Sequence, residues 1–354
     1  MFEGRSKLGY IPALDGLRGM AIIGVMIYHA GILKGGSIGV DMFFVLSGFL
    51  ITSLLISEFD GYGSINLKNF YIRRILRLAP ALIVMLIVYC LASFVVLSEE
   101  KANRNYIDAL ISVAYLTNWA RAFSIHPPDF LGHTWSLSIE EQFYIVWPTV
   151  LVLLLRLSNK RHHILVVAAS TALLSWMLRL YLSMNGSSPI RLYNGLDTRA
   201  DALMVGCTLG VVLVSGLGSE NAYKTLQKHL VILGPLSMIG LLTFSVIVYW
   251  GDPWMFHYGY FIVELLTAVL VLDLLINQKS IIRKLLVTRW LVWVGSISYG
   301  LYIWHFPIYR TLHAMGVRGS TFIVLSLFIS FTIATLSYYA MEKPILKFKK
   351  RFVS

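Results

Sequence analysis

Ten separated apolar runs, each close to the roughly 20 residues a helix needs to cross a bilayer core of about 30 Å, constrain this chain more than any other feature. They fall at approximately 12–33, 38–57, 78–97, 134–155, 163–183, 199–217, 230–250, 259–276, 290–312 and 321–341, each bounded by polar or Gly/Pro-containing segments. Lipid has no partner for a free backbone N–H or C=O, so such runs must fold as α-helices. The expected fold class is an all-α polytopic integral membrane protein with about ten transmembrane helices. Composition agrees, since 57% hydrophobic and 14% charged residues lie outside the range of soluble domains. We expect one domain over residues 1–354, with no additional soluble domain and no cleaved signal peptide.

The net charge of +12 speaks about topology before it speaks about partners. With the N-terminus and the C-terminus both placed in the cytoplasm, twenty of the thirty Lys and Arg fall in cytoplasmic segments, seven opposite and three within spans. A basic charge scattered between apolar runs is not a nucleic-acid face, so nucleic acid is excluded as a partner. Cys90 and Cys207 lie inside apolar stretches with no metal-ligand spacing and read as packing residues. No metal site is expected. The longest loop, 98–133, contains an apolar stretch at 106–119 too short to span, which suits a re-entrant or interfacial helix.

An ionisable side chain inside a span costs several kcal/mol unless it faces a cavity or a partner, roughly +2.5 to +3.5 on insertion scales. The first run holds Asp15, Arg18 and His29. In a helix, Arg18 and His29 lie about 20° apart around the axis and about 16 Å apart along it. They can line one interior path; alternatively Arg18 pairs with Asp15 and His29 is an interfacial histidine. Asp41 opens the second run near His29's end of the first, where it can orient the imidazole or serve only as a helix N-terminal acid. Arg74 and Arg77, one turn apart before Pro80, can clamp phosphate oxygens or contact lipid head groups. In Trp135-Ser136-Leu137-Ser138-Ile139-Glu140-Glu141, adjacent carboxylates cannot both point one way, so at least one faces a polar interior. Arg199 with Asp201, and His305 beside Pro307, are similar intrusions, while Arg179, Glu264 and Asp273 read as pairing or loop-edge residues.

Taken together these segments resemble the membrane acyltransferase-3 family. The resemblance rests on Ile11-Pro12-Ala13-Leu14-Asp15-Gly16-Leu17-Arg18-Gly19 leading to His29, on 39–52, on Arg74-x-x-Arg77, on 135–144, on Arg199-Ala200-Asp201, on Ser298-Tyr299-Gly300-Leu301-Tyr302-Ile303-Trp304-His305 and on Glu342-Lys343-Pro344. It implies transfer of an acyl group, usually acetyl, from cytoplasmic acyl-coenzyme A to a glycan hydroxyl, with Arg18 and His29 as the Arg, ten residues, His signature. It further implies donor binding by Arg74 and Arg77, and a role for Glu140. The catalytic candidates are therefore His29, Arg18, Glu140 and Asp41, with Arg74, Arg77 and Arg18 on the donor. No tightly bound cofactor is expected, acyl-coenzyme A being a substrate. Expected partners are acyl-coenzyme A, a glycan or glycosylated acceptor and membrane lipids, with a homo-oligomer or a separate envelope partner left open. The expected location is the cytoplasmic (inner) membrane. A transporter of a glycan or small solute is the competing reading, because intramembrane charges also build transport pathways.

Overall fold

The computed structural model describes residues 9–158, 160–215 and 220–348. Arg5, Lys7, Lys349, Lys350 and Arg351, which entered the charge balance, lie outside the described residues. Helix accounts for 83% of the structure and there is no strand among the described residues. In chain order the α-helices are α1 (Pro12–His29), α2 (Gly39–Tyr62), α3 (Leu67–Val96), α4 (Glu99–Val113), α5 (Thr117–Ala122), α6 (Trp135–Leu157), α7 (Arg161–Met184) and α8 (Pro189–Asn194). They continue as α9 (Ala200–Val214), α10 (Glu220–Ile247), α11 (Tyr260–Ile276), α12 (Ile281–Leu286), α13 (Arg289–Ser296), α14 (Ser298–Ala314), α15 (Gly319–Ser337) and α16 (Lys343–Phe348).

Every one of the ten apolar runs contains helix, and among the described residues seven helical stretches are long and apolar enough to cross a membrane. They are Gly36–Tyr62, Leu67–Val96, Gly132–Leu157, Arg161–Met184, Lys224–Ile247, Met255–Ile276 and Gly319–Phe348. This is the pattern of a multi-pass membrane protein. The other three runs differ in kind: α1 is 18 residues long and carries Asp15 and Arg18, and α9 has only 15 residues. The run expected as one span at 290–312 is divided into α13 and α14 by a single non-helical residue, Ile297. Just before it, the Ser296 hydroxyl donates to the Trp293 carbonyl at 2.6 Å, a local bond of the kind that competes with a helix ladder. The helix of the 78–97 run begins eleven residues early, at Leu67, where the Asn66 side chain accepts from the Asn69 N–H at 2.9 Å and caps it. The short apolar stretch at 106–119 becomes the end of α4 and the start of α5, with Tyr115 turning between them at φ 54°.

The chain forms two compact units, each drawn from two stretches of sequence. Unit 1 takes the residues up to Ile65 with Phe143–Ser296, and unit 2 takes Asn66–Gln142 with the residues from Ile297 onward. In unit 1, α2 and α9 lie backbone to backbone. A Cβ on Gly48 would sit 1.9 Å from the Leu203 carbonyl oxygen, and one on Gly206 would sit 2.1 Å from that of Val45, so only glycine fits. Around that contact Leu46, Phe49, Leu209, Tyr260, Val263 and Leu270 fill the core. In unit 2, α3 turns Ile83, Ile87, Leu91 and Phe94 outward at helical spacing, which is the face expected against lipid. Its opposite side holds α4, where the Asn105 amide donates to Ser93 Oγ at 2.9 Å.

Candidate active site

Arg18 and His29 both belong to α1, which runs unbroken from Pro12 to His29, so the same-face geometry expected from their spacing is available to them. Both are half-buried. Arg18 Nη1 lies 3.4 Å from Asp15 Oδ1, a loose version of the local pair. The His29 ring meets the edge of Tyr28 with centroids 4.9 Å apart.

Asp41, in the first turn of α2, is completely buried and bonds Arg199, which is equally buried. Its other oxygen has no hydrogen-bond partner among the described residues. One Asp41 oxygen is thus committed to a guanidinium 158 positions away, and its place in the first turn of α2 fits the alternative reading of a helix N-terminal acid. Arg199 precedes α9 and stands over the Tyr260 ring at 4.1 Å and the Tyr193 ring at 5.1 Å.

A second buried pair adjoins the first. Arg179 Nη1 lies 2.5 Å from Asp201 Oδ2, with neither side chain exposed. The guanidinium also donates to the carbonyls of Thr198 at 2.7 Å and Phe256 at 3.1 Å. Tyr260 serves both arginines, since the Arg179 guanidinium also lies 5.7 Å from its ring centroid. Glu264, one turn after Tyr260 in α11, is fully buried, and neither of its oxygens has a hydrogen-bond partner among the described residues. Two carboxyls thus pair with two guanidiniums inside unit 1, and Glu264 lies within electrostatic range of both arginines. Arg199 and Asp201, two positions apart, are partners of other residues; Arg179 is a pairing residue, as one of its two readings had it, and Glu264 is deep in the interior rather than at a loop edge. The signal that could have promoted these two was already present: an ionisable residue inside an apolar run. Asp273 is a pairing residue, accepting from Ser280 at 2.5 Å and Asn277 at 3.1 Å.

Unit 2 contains the remaining candidates. Arg74 and Arg77 lie in the first half of α3, half-buried, with the Arg74 guanidinium 5.6 Å from the centroid of Phe70. Glu141 lies within electrostatic range of Arg74, and Glu342 within range of Arg77. Glu140 is half-buried in α6. Deeper in the unit, Tyr302 OH donates to the His133 carbonyl at 2.8 Å and meets Ser136 Oγ at 2.5 Å. His305 Nδ1 faces the carbonyls of Leu301 at 3.0 Å and Tyr302 at 2.7 Å within α14, two residues before Pro307. Arg18, His29 and Asp41 thus share unit 1, and Arg74, Arg77 and Glu140 share unit 2.

The class these features define is a multi-pass helical membrane protein whose interior carries charge that lipid alone would reject. The family model described as an acyltransferase domain matches residues 11–341, so the chain belongs to the membrane acyltransferase-3 family. It is similar to the peptidoglycan O-acetyltransferase OatA of Listeria monocytogenes, at 36% identity over 96% of this chain and 56% of the relative. The "Putative O-acetyltransferase SACOL0978" of Staphylococcus aureus is 36% identical over 98% of this chain and 59% of its own length. A Bacillus subtilis protein named "Putative peptidoglycan O-acetyltransferase YrhL" is 34% identical over 95% of this chain and 55% of itself. The chain therefore spans a little over half the length of the curated relatives it matches. No solved structure is a significant match.

Proposed function

We propose that this chain is a membrane O-acyltransferase, carrying acetyl from cytoplasmic acetyl-coenzyme A to a hydroxyl of a cell-envelope glycan, in the cytoplasmic membrane. The observation that carries the reading is the placement of Arg18 and His29 on one uninterrupted helix within a chain whose family match covers residues 11–341. The names of the Listeria and Bacillus relatives make peptidoglycan the first acceptor to try.

In this reading His29 is the general base. Its imidazole takes the proton of the acceptor hydroxyl as that oxygen attacks the thioester carbon; the C–S bond then breaks and coenzyme A leaves as a thiolate that is protonated in turn. Arg18 guides the donor and polarises its carbonyl. Arg74 and Arg77, spaced one turn apart, hold the phosphates of coenzyme A through charge-assisted hydrogen bonds. Asp41 acts on the site indirectly, by fixing Arg199 and the start of α9. Glu140 remains the candidate acid of unit 2. Direct transfer is the simpler route, since it needs no acyl-enzyme.

The test is coenzyme A release from purified protein in liposomes supplied with acetyl-coenzyme A and extracted envelope glycans. Glycan-dependent release should vanish in His29→Ala, with membrane insertion retained, and should require more donor in Arg74→Ala. Release at the wild-type rate by His29→Ala would remove that histidine from the chemistry, and failure of the wild type to bind acetyl-coenzyme A at all would favour transport.

A further inference from the structure

At the C-terminal end of α3, unit 2 has an open cavity of about 480 Å³ that contains none of the residues assigned above to the chemistry. That volume falls within the range of about 300–1,000 Å³ typical of small-molecule sites. It is lined by Leu97, by Lys101, Arg104, Asn105 and Asp108 of α4, and by residues 125–127, 129 and 130. Arg77 lies nineteen residues before Val96 on the same helix, which amounts to about 28 Å of α-helical rise. The cavity and the proposed donor-phosphate residues are thus at opposite ends of a single bilayer-length helix.

Its polar wall is tied in place. Asp108, with a side chain only 8% exposed, meets His126 Nε2 at 2.8 Å through one oxygen and accepts from the Asp129 N–H at 3.4 Å through the other. Burial pushes the Asp108 carboxyl up from its ordinary value, while the bond to His126 pulls it back down. Asp129 is also bound by Arg310, whose guanidinium stands 5.5 Å from the Phe130 ring. Two cations of the lining behave differently. Lys101 and Arg104 are exposed and form no ion pair among the described residues.

We infer that this cavity binds the acceptor as an anionic saccharide, with Lys101 and Arg104 reading a carboxylate carried by the sugar and Asn105 and His126 reading its hydroxyls. The inference rests on the proposed glycan O-acyltransferase reading and adds to it the acceptor's place and charge. Ring hydroxyls both donate and accept; the Asn105 amide supplies both functions, and the second ring nitrogen of His126 supplies one of them. Pro127, Ile125 and Phe130 offer apolar surface for the C–H faces of a sugar. An anionic lipid head group would meet the same two cations, so binding to vesicles containing anionic lipid is measured beside binding to strands.

The experiment measures binding of fluorescently labelled soluble glycan strands from peptidoglycan to the full chain in neutral-lipid nanodiscs, without donor. Their carboxyl-reduced counterparts form the second arm, and vesicles containing anionic lipid the third. Wild type should prefer the native strands. Lys101→Ala with Arg104→Ala should weaken that binding on the order of 10-fold, as two partly exposed ion pairs allow, and erase the preference over reduced strands. Lys101→Glu with Arg104→Glu should reverse the preference. Equal binding by wild type and variants, or a loss confined to anionic-lipid vesicles, would overturn the inference. Coenzyme A release separates the two readings: a wild type that transfers acetyl with no variant change in acceptor KM retains the activity and loses this site. A wild type that binds strands through these cations but never releases coenzyme A loses the activity and keeps the site.

Discussion

In unit 1 Arg199 and Asp41 meet with neither side chain exposed, whereas in unit 2 Arg310 and Asp129 meet with 40% and 64% of theirs in contact with the surroundings. The chemical partners are the same, and both arginines also lie over aromatic rings. What differs is the medium. A buried pair has given up the solvation of two ions and depends on its partner, so losing one leaves a stranded charge at a cost of about 3–5 kcal/mol. An exposed pair retains water as an alternative and contributes about 0–1 kcal/mol. The interior cluster of Asp41, Arg199, Arg179, Asp201 and Glu264 is therefore a structural commitment, while the rim of the α4 cavity can exchange its partners for a ligand.

The largest expected effect is that of Arg199→Ala, which should lower stability by about 3–5 kcal/mol and shift thermal unfolding of the detergent-solubilised protein strongly downward. Adding Asp41→Ala should recover part of the loss, because the stranded carboxylate is removed with its partner. A single variant that melts with the wild type would mean that the medium reaches the pair and would abolish the contrast. A smaller effect is expected from Gly206→Val, where the new Cβ would be 2.1 Å from the Val45 carbonyl oxygen. Overpacking of this kind costs about 1–3 kcal/mol, and the same assay should show Gly61→Ala, with nothing within 4 Å, unharmed. At the small end, Arg310→Ala should cost about 1 kcal/mol or less in unfolding, an effect that added salt should shrink further. A loss as large as that of Arg199→Ala would place the rim pair in the same class as the buried one.

Much of the scaffold was legible because its signals are local. Every expected apolar run contains helix, and the basic stretch before Pro80 simply extends one of them back to Leu67. The break at Ile297 was not legible, because residues 290–312 are apolar enough on average for one span and the interruption leaves only a single residue out of the helix. For the candidate site, the spacing of Arg18 and His29 carries over directly since one helix contains both. The ion pair that Asp41 makes was not legible. Its partner lies 158 positions away, and no periodicity links residues of α2 to the start of α9. Asp108 and His126, eighteen positions apart across a turn and a second helix, were hidden for the same reason.

The sequence by itself determined that this chain is helical and multi-pass, that its ionisable residues within apolar runs need partners, and which motifs tie it to its family. Those properties follow from hydropathy and from spacing along a helix, and both are local. Tertiary structure alone decided who those partners are: Arg199 with Asp41, Arg179 with Asp201, and Glu264 beside them without a hydrogen-bond partner among the described residues. The physical reason is that a buried charge is satisfied by whatever opposite charge packing brings within a few ångströms, and in a helical bundle that neighbour is selected by close helix contacts such as Gly48 and Gly206 rather than by distance along the chain.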